Sequence, residues 1–252
     1  MVLLHNTALT TMFIAWHLMI RRLVEIDRWH ADLNIFSISM LARRVPLPIW
    51  YVGSRLALYK KNNISRSVIV TATALEVVLI TLSGLLCYIL LIPWYTYTQY
   101  IPWWPLMLVA FITILALIVR PILIVDLINF GLRLLKKDRI QVTVLRIDLL
   151  IWGLLYLATW LTDGLGLYFM IIALVPIPIP IASAIGISTI AALVGILTMV
   201  LPSGFGLKEL TIGALLSFWM PLSAGIFISI AYRLAQTIIE TVWVLVSQKI
   251  SA

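Results

Sequence analysis

Apolar positions in this chain run in long blocks, separated by short polar, basic or proline-rich stretches. A hydrocarbon core about 30 Å thick takes about 20 apolar helical residues to cross. Blocks meeting or approaching that length are Val2–Ile20, Ser67–Ile92, Trp103–Val119, Gln141–Leu161, Ile181–Leu201 and Leu222–Val246. The first is weakened by His5, Asn6 and His17. The fourth carries Arg146 and Asp148 near its start, two residues apart and so on different helical faces. Both are expected to snorkel to the interface.

Other segments fit no simple span. Asn34–Tyr51 is apolar but broken by Arg43, Arg44, Pro46 and Pro48. Pro121–Leu135 reads as an amphipathic helix on the membrane surface. Leu207–Phe218 is long enough to cross only about half a bilayer at 1.5 Å per residue. Val175–Ile181 reads V-P-I-P-I-P-I, and proline at every second position forbids a helix. The pattern therefore predicts an all-α fold: a polytopic integral membrane helical bundle of about six spans plus re-entrant or half helices.

Composition strengthens that expectation. Of 252 residues, 63% are hydrophobic and only 11% charged, against about 25% charged in a soluble domain. No polar stretch is long enough for a separate domain of about 100 residues. The N-terminus has no cation before its first apolar run and no small-residue cleavage site, so it reads as a membrane segment and not a signal peptide. The whole chain, 1–252, is expected to be one transmembrane domain.

Charge sets the expected orientation. Of 18 Lys and Arg residues, 15 lie in Arg21–Arg66 and Arg120–Arg146. Pro93–Pro105 has none and is aromatic instead. Basic loops stay in the cytoplasm, and Trp and Tyr settle at headgroup level. Stretches 21–66 and 120–146 are thus expected on the cytoplasmic side of the cell membrane, with Pro93–Pro105 and the cation-free Asp163–Pro180 outside. Lys249 places the C-terminus inside. The net charge of +8 reads as this topology signal and as attraction to anionic headgroups. It does not read as a nucleic-acid site, because the cations flank spans and form no soluble module.

Candidate chemistry is sparse. Cys87 is the only cysteine, and His5, His17 and His30 are too far apart for a helical ligand pair. The histidines are expected to be packing or interfacial residues, with no metal. No nucleophile–base set and no phosphate loop is visible, so neither an enzyme nor a cofactor is expected. The last span carries Arg233, Gln236, Thr237 and Glu240 at i, i+3, i+4 and i+7, which is one helical face. Charge facing lipid is costly, so this stripe should face protein or a water-filled cavity. Glu76, on a face with Thr73 and Ser83, is a candidate partner for Arg233. That pair is either structural or part of an anion site.

Leu201–Glu209 reads L-P-S-G-F-G-L-K-E. Proline ends the preceding helix, the glycines permit a tight turn, and a short helix starts near Leu207. Broken helices in transporters often lie at binding sites, and a helix N-terminus suits a phosphate. Lys208 would add charge there, with Glu209 balancing it when the site is empty. The alternative is a surface turn with Lys208 and Glu209 solvated.

The stretch Leu201–Leu210 resembles the P-G-G-x-G-x-x-E signature of the lysylphosphatidylglycerol synthase transmembrane family. That family supplies the flippase domain of bacterial phosphatidylglycerol lysyltransferases and also occurs as stand-alone proteins. Arg43–Lys61 is similar to the family's first-half element, with Gly53, Arg55 and Glu76 in the places of its Gly, Arg and Glu. The resemblance runs from about residue 10 to the end, with a first-half element at about 34–92 and a second-half element at about 181–246. Ser203 replaces the first glycine of the pair, and Leu47 stands where a glycine follows proline. Compared with the family, the sequence reads as short at its N-terminus. No stretch could form the soluble aminoacyl-transfer domain, so lysyl transfer is not carried over.

The resemblance implies two re-entrant elements meeting inside the membrane and a lipid-handling function. The expected function is binding and flipping of a phospholipid, anionic by the charge argument, or of a lipid-linked substrate. Expected binding residues are Arg55, Glu76, Ser203, Gly204, Gly206, Lys208, Glu209, Arg233 and Glu240. Two alternatives remain: a non-catalytic scaffold for a lipid- or glycan-modifying enzyme, and an intramembrane enzyme using Glu209 or Glu76 as acid or base.

Overall fold

A computed structural model describes residues 1–44, 49–91, 130, 133, 145–197 and 206–251. The expected span Trp103–Val119, the loop Pro93–Pro105 and nearly all of Pro121–Leu135 lie outside the described residues, as do Ser203 and Gly204. Among the described residues the ordered elements are helices: α1 (Val2–Val24), α2 (Trp29–Ala42), α3 (Ile49–Lys61), α4 (Arg66–Leu91), α5 (Arg146–Leu174), α6 (Ile181–Leu197), α7 (Leu207–Leu216) and α8 (Leu222–Ser251). Three of them, α4, α5 and α8, are long and apolar enough to cross a membrane.

The blocks become helices because every backbone N–H and C=O must be satisfied without water in hydrocarbon. Ser and Thr follow the same rule within their own helix. Thr71 and Thr73 on α4 donate to the carbonyls of Ser67 and Ile69, one turn back.

Paired contacts fix the helix directions. Arg22 Nε lies 3.1 Å from Asp148 Oδ2, Thr11 Oγ1 2.9 Å from Thr159 Oγ1, and His5 Nδ1 3.0 Å from Asp163 Oδ1. Residue numbers rise along α1 as they fall along α5, so the two helices are antiparallel. Glycine sets the close approach of α5 and α6: a Cβ on Gly164 would sit 2.6 Å from the Cα of Ile185. The same holds in the α7–α8 hairpin, where a Cβ on Gly213 would meet Ile226 Cγ1 at 2.6 Å.

One expected boundary is corrected here. The span expected to end at Leu161 runs on as α5 to Leu174, so 163–174 is helix and not loop. Asp163, Gly164 and Gly166 look like helix-ending residues in sequence. In the fold the glycines are contact points, for Ile185 and for the Tyr232 ring. Asp163 is satisfied by side chains from other helices. The helix stops where V-P-I-P-I-P begins. That stretch is extended, with i+2 hydrogen bonds of 2.9 Å from the N–H of Ile177 to Val175 O and from Ile179 to Ile177 O.

The segments read as non-spanning are short helices. α2 has 14 residues and α3 has 13, about 20 Å each. They follow one another from the end of the bundle where α1 stops, and Arg44 lies at the far end of α2. α7 has 10 residues, about 15 Å, and pairs with α6 and α8 from the opposite end. Its N-cap is Gly206 at φ 94°, a left-handed conformation that costs glycine little. The core lies where these pieces meet the long helices, with Trp16, Trp152 and Tyr156 fully enclosed.

Candidate functional site

Two polar networks lie inside the bundle. The first is sealed. Arg55 on α3 is 0% exposed and pairs with Glu76 on α4. Tyr51 donates its hydroxyl to Glu76 Oε2 at 2.6 Å, and Arg55 Nε donates to Ser39 Oγ at 3.2 Å. The guanidinium also lies 3.5 Å from the centroid of the Trp16 ring. Trp16 Nε1 donates to Tyr59 Oη at 2.9 Å, and Tyr59 donates to Asp32 Oδ1 at 2.9 Å. His17 Nδ1, at 2.8 Å from Asp32 Oδ2, completes the chain. A buried ion pair is sustained only when its remaining hydrogen-bonding capacity is met, and here it is met by neighbours.

The expected pairing of Glu76 with Arg233 is therefore wrong. Arg55 sits on the short helix next to α4 and fills the position. Arg233 instead meets the acid of its own half: its Nη1 donates to Glu209 Oε1 on α7 at 2.8 Å. Glu209, expected to balance Lys208, thus makes its direct contact with Arg233, and its charge also acts on Lys208.

The second network is a column along α8, assembled from several elements. Arg44, just past the end of α2, grips Glu240 with two bonds: Nε to Oε2 at 2.8 Å and Nη2 to Oε1 at 2.7 Å. Gln236 donates its Nε2 to Asp163 Oδ1 at 2.9 Å, and Ser188 on α6 donates to Asp163 Oδ2 at 3.3 Å. His5 reaches the same carboxylate at 3.0 Å. A carboxylate ringed by donors accepts only, so His5 Nδ1 carries the hydrogen. Tyr232 donates its hydroxyl to the Asp163 carbonyl at 2.7 Å, and Lys208 Nζ lies 5.9 Å from the centre of the Tyr232 ring.

From Glu240 to Arg233 the column spans about 10 Å of helix. Its mouth is the Arg233–Glu209 pair, with side chains 27% and 11% exposed. Glu209 Oε2 is buried and has no hydrogen-bond partner among the described residues. The other side of α8 is apolar and open, with Leu234 59% and Ile238 65% exposed. The stripe expected to face inward does so at Gln236 and Glu240, which are buried.

The structure thus brings together Gly206, Lys208, Glu209, Arg233 and Glu240, and keeps Arg55 and Glu76 apart from them. Arg44, Asp163, His5 and Tyr232 join the column without having been singled out. Arg44 is hidden within a basic stretch that doubles as a topology signal. Asp163 lies beyond the span expected to end at Leu161, in the stretch expected outside. Had its block been read through to Leu174, an acid inside an apolar helix would have marked it. His5 and His17, expected to be packing or interfacial residues, are buried in the bundle, and each is bonded to a carboxylate there.

The model of the lysylphosphatidylglycerol synthase transmembrane region matches residues 7–243. The chain belongs to this family. Neither a curated protein nor a solved structure matches it. The membership covers both networks except His5, which precedes the matched residues. A lysylphosphatidylglycerol synthase transmembrane region is a membrane module, in keeping with the apolar helices α4, α5 and α8. Among the described residues no group of three or more His, Cys, Asp or Glu side chains is placed to hold a metal ion.

Proposed function

We propose that this membrane protein binds the headgroup of a phospholipid, or of a lipid-linked substrate, at the α8 column and carries it across the bilayer. The observation that carries this reading is the meeting of two non-spanning elements at one polar column. Arg44 arrives at the end of α2, and Lys208 and Glu209 arrive in the first turn of α7. Backbone that breaks inside a membrane is tolerated where it is covered by protein or lines a cavity. The first turn of α7 leaves N–H groups without intrahelical acceptors, and Gly206 carries no side chain to cap them. Lys208, Arg233 and Arg44 add positive charge, which suits a phosphate. Ser203 and Gly204, which precede α7 in the sequence and lie outside the described residues, belong to the same proposed site.

Anionic phospholipid is the favoured ligand on charge, and the cell membrane the proposed location. In this reading the basic ends of the α2–α3 element, Arg21–Arg28 and Lys60–Arg66, lie on the cytoplasmic side with 120–146 and the C-terminus, while Arg44 and Arg55 between them reach into the bundle. Arg55 and Glu76 act in this reading as the pin that holds α3 against α4, and not as a contact for lipid. Purified protein in liposomes with fluorescent lipid tests the proposal: Lys208→Ala should fold normally and move lipid about tenfold more slowly or worse, the loss of roughly one hydrogen-bonded charge contact. Unchanged movement would remove α7 from the path.

A further inference from the structure

His5 is 5% exposed and stands between two carboxylates. Its Nδ1 hydrogen goes to Asp163 Oδ1 at 3.0 Å. Its Nε2 lies 3.8 Å from Glu240 Oε1 and has no hydrogen-bond partner among the described residues. In the neutral ring, Nε2 carries a lone pair, and here that lone pair faces a carboxylate oxygen. A proton at Nε2 turns that repulsion into a charge-assisted hydrogen bond. Glu240 Oε1 is also the oxygen that Arg44 Nη2 holds at 2.7 Å. One acid therefore faces two competing cations, one permanent and one conditional.

Among the described residues no other proton acceptor is so placed. α5 presents Asp163 to the ring, and α8 presents Glu240 and Tyr232, whose hydroxyl is spent on the Asp163 carbonyl. From α2 come Arg44 and its neighbour Arg43. α7 contributes Lys208, whose charge acts on Asp163, and Glu209, which is paired to Arg233. On α4, Glu76 is paired to Arg55 in the sealed network, and Arg66 stands at the first residue of the helix.

We propose that His5 takes up a proton from the aqueous phase as Arg44 leaves Glu240, so that a phosphate-bearing headgroup and one proton enter the column together. This rests on the lipid-binding reading above and adds a coupled ion to it. Protonated His5 replaces Arg44 as the counter-ion of Glu240, and the freed guanidinium binds the phosphate in a bidentate manner. By linkage, the ligand then binds more tightly at low pH.

Binding of dihexanoyl phosphatidylglycerol to the full chain in detergent micelles, followed by tryptophan fluorescence between about pH 5 and about pH 9, tests this. The phosphodiester does not titrate there, so a slope reports the protein. Wild type should lose affinity about tenfold per pH unit above the His5 titration, as for one linked proton. His5→Gln should bind weakly at every pH, without slope. Glu240→Gln, which frees Arg44 permanently, should bind tightly at every pH, again without slope.

Binding that is flat with pH in wild type, or a slope retained in His5→Gln, overturns the proton exchange and leaves the lipid reading standing. Absence of binding at any pH by folded protein overturns both. The water-soluble diester glycerophosphoglycerol separates a headgroup site from a lipid site. If it binds with the same slope while the lipid does not, the exchange holds and the occupant is a soluble anion.

Discussion

Arg55 is held by a carboxylate, a serine hydroxyl and two aromatic rings, Trp16 at 3.5 Å and Tyr51 at 4.3 Å. Taking one partner away strands a charge in a place without water. Arg55→Ala should therefore destabilise the protein by about 3–5 kcal/mol, read as a lower unfolding midpoint in detergent. The paired change of Arg55→Met with Glu76→Leu should be less harmful than Arg55→Ala, since no charge is left unpaired. A double variant as unstable as Arg55→Ala would mean that packing around Trp16, not charge, dominates. Arg55 and Glu76 could be picked out from sequence as charged residues beside or inside apolar blocks, and so could Arg233 and Glu240. Their pairing could not. Partner choice depends on which helix faces which: Glu76 takes Arg55, Arg233 takes Glu209 and Glu240 takes Arg44.

At the scale of the helix, glycine decides how close α5 and α6 come. A Cβ at Gly164 would press on the backbone of Ile185 at 2.6 Å, whereas a Cβ at Gly153 on the same helix meets nothing within 4 Å. Gly164→Ala should cost about 1–3 kcal/mol through forced separation of the helices. Gly153→Ala should be neutral or slightly stabilising, because alanine favours the helix. Equal effects on thermal unfolding would contradict this packing.

The periodic blocks located α4 and α8 to within a few residues, because a long apolar run has no competing reading. The end of α5 was misplaced, because Asp-Gly in sequence looks like punctuation. Only the facing residues, Ile185, Tyr232, His5 and Gln236, show that the same pair is an interior contact. The short helices were legible from proline, which breaks a helix interior, and from the paired glycines before α7, which permit a tight turn. That α2 ends with Arg44 against Glu240 was not legible, since the two residues are 196 positions apart.

At the scale of the molecule, family membership spans residues 7–243, and the motif around Gly206 carried most of that resemblance in the sequence. What membership leaves open is the sidedness of the bundle. Lys249 lies at the end of α8 on the same side as the end of α1 and its Arg21 and Arg22. With Cys87→Ser as background, Lys249→Cys should react with a membrane-impermeant maleimide only in inverted vesicles or broken cells. Labelling in intact cells would reverse the proposed orientation and the sense of the basic stretches with it.

The central claim is that the column along α8 is a path for lipid. The most direct measurement is translocation in reconstituted liposomes, with fluorescent phosphatidylglycerol and phosphatidylcholine followed by outer-leaflet quenching. Wild type should render nearly all of the phosphatidylglycerol quenchable. Arg233→Ala, folded by gel filtration and unfolding midpoint, should leave about half protected, as in empty vesicles, because the inner leaflet is shielded. If folded wild type leaves both lipids protected, or if Arg233→Ala moves them as fast as wild type, the column is not the path. A folded but inactive wild type would redirect attention to a scaffold role and to copurifying lipid-modifying enzymes.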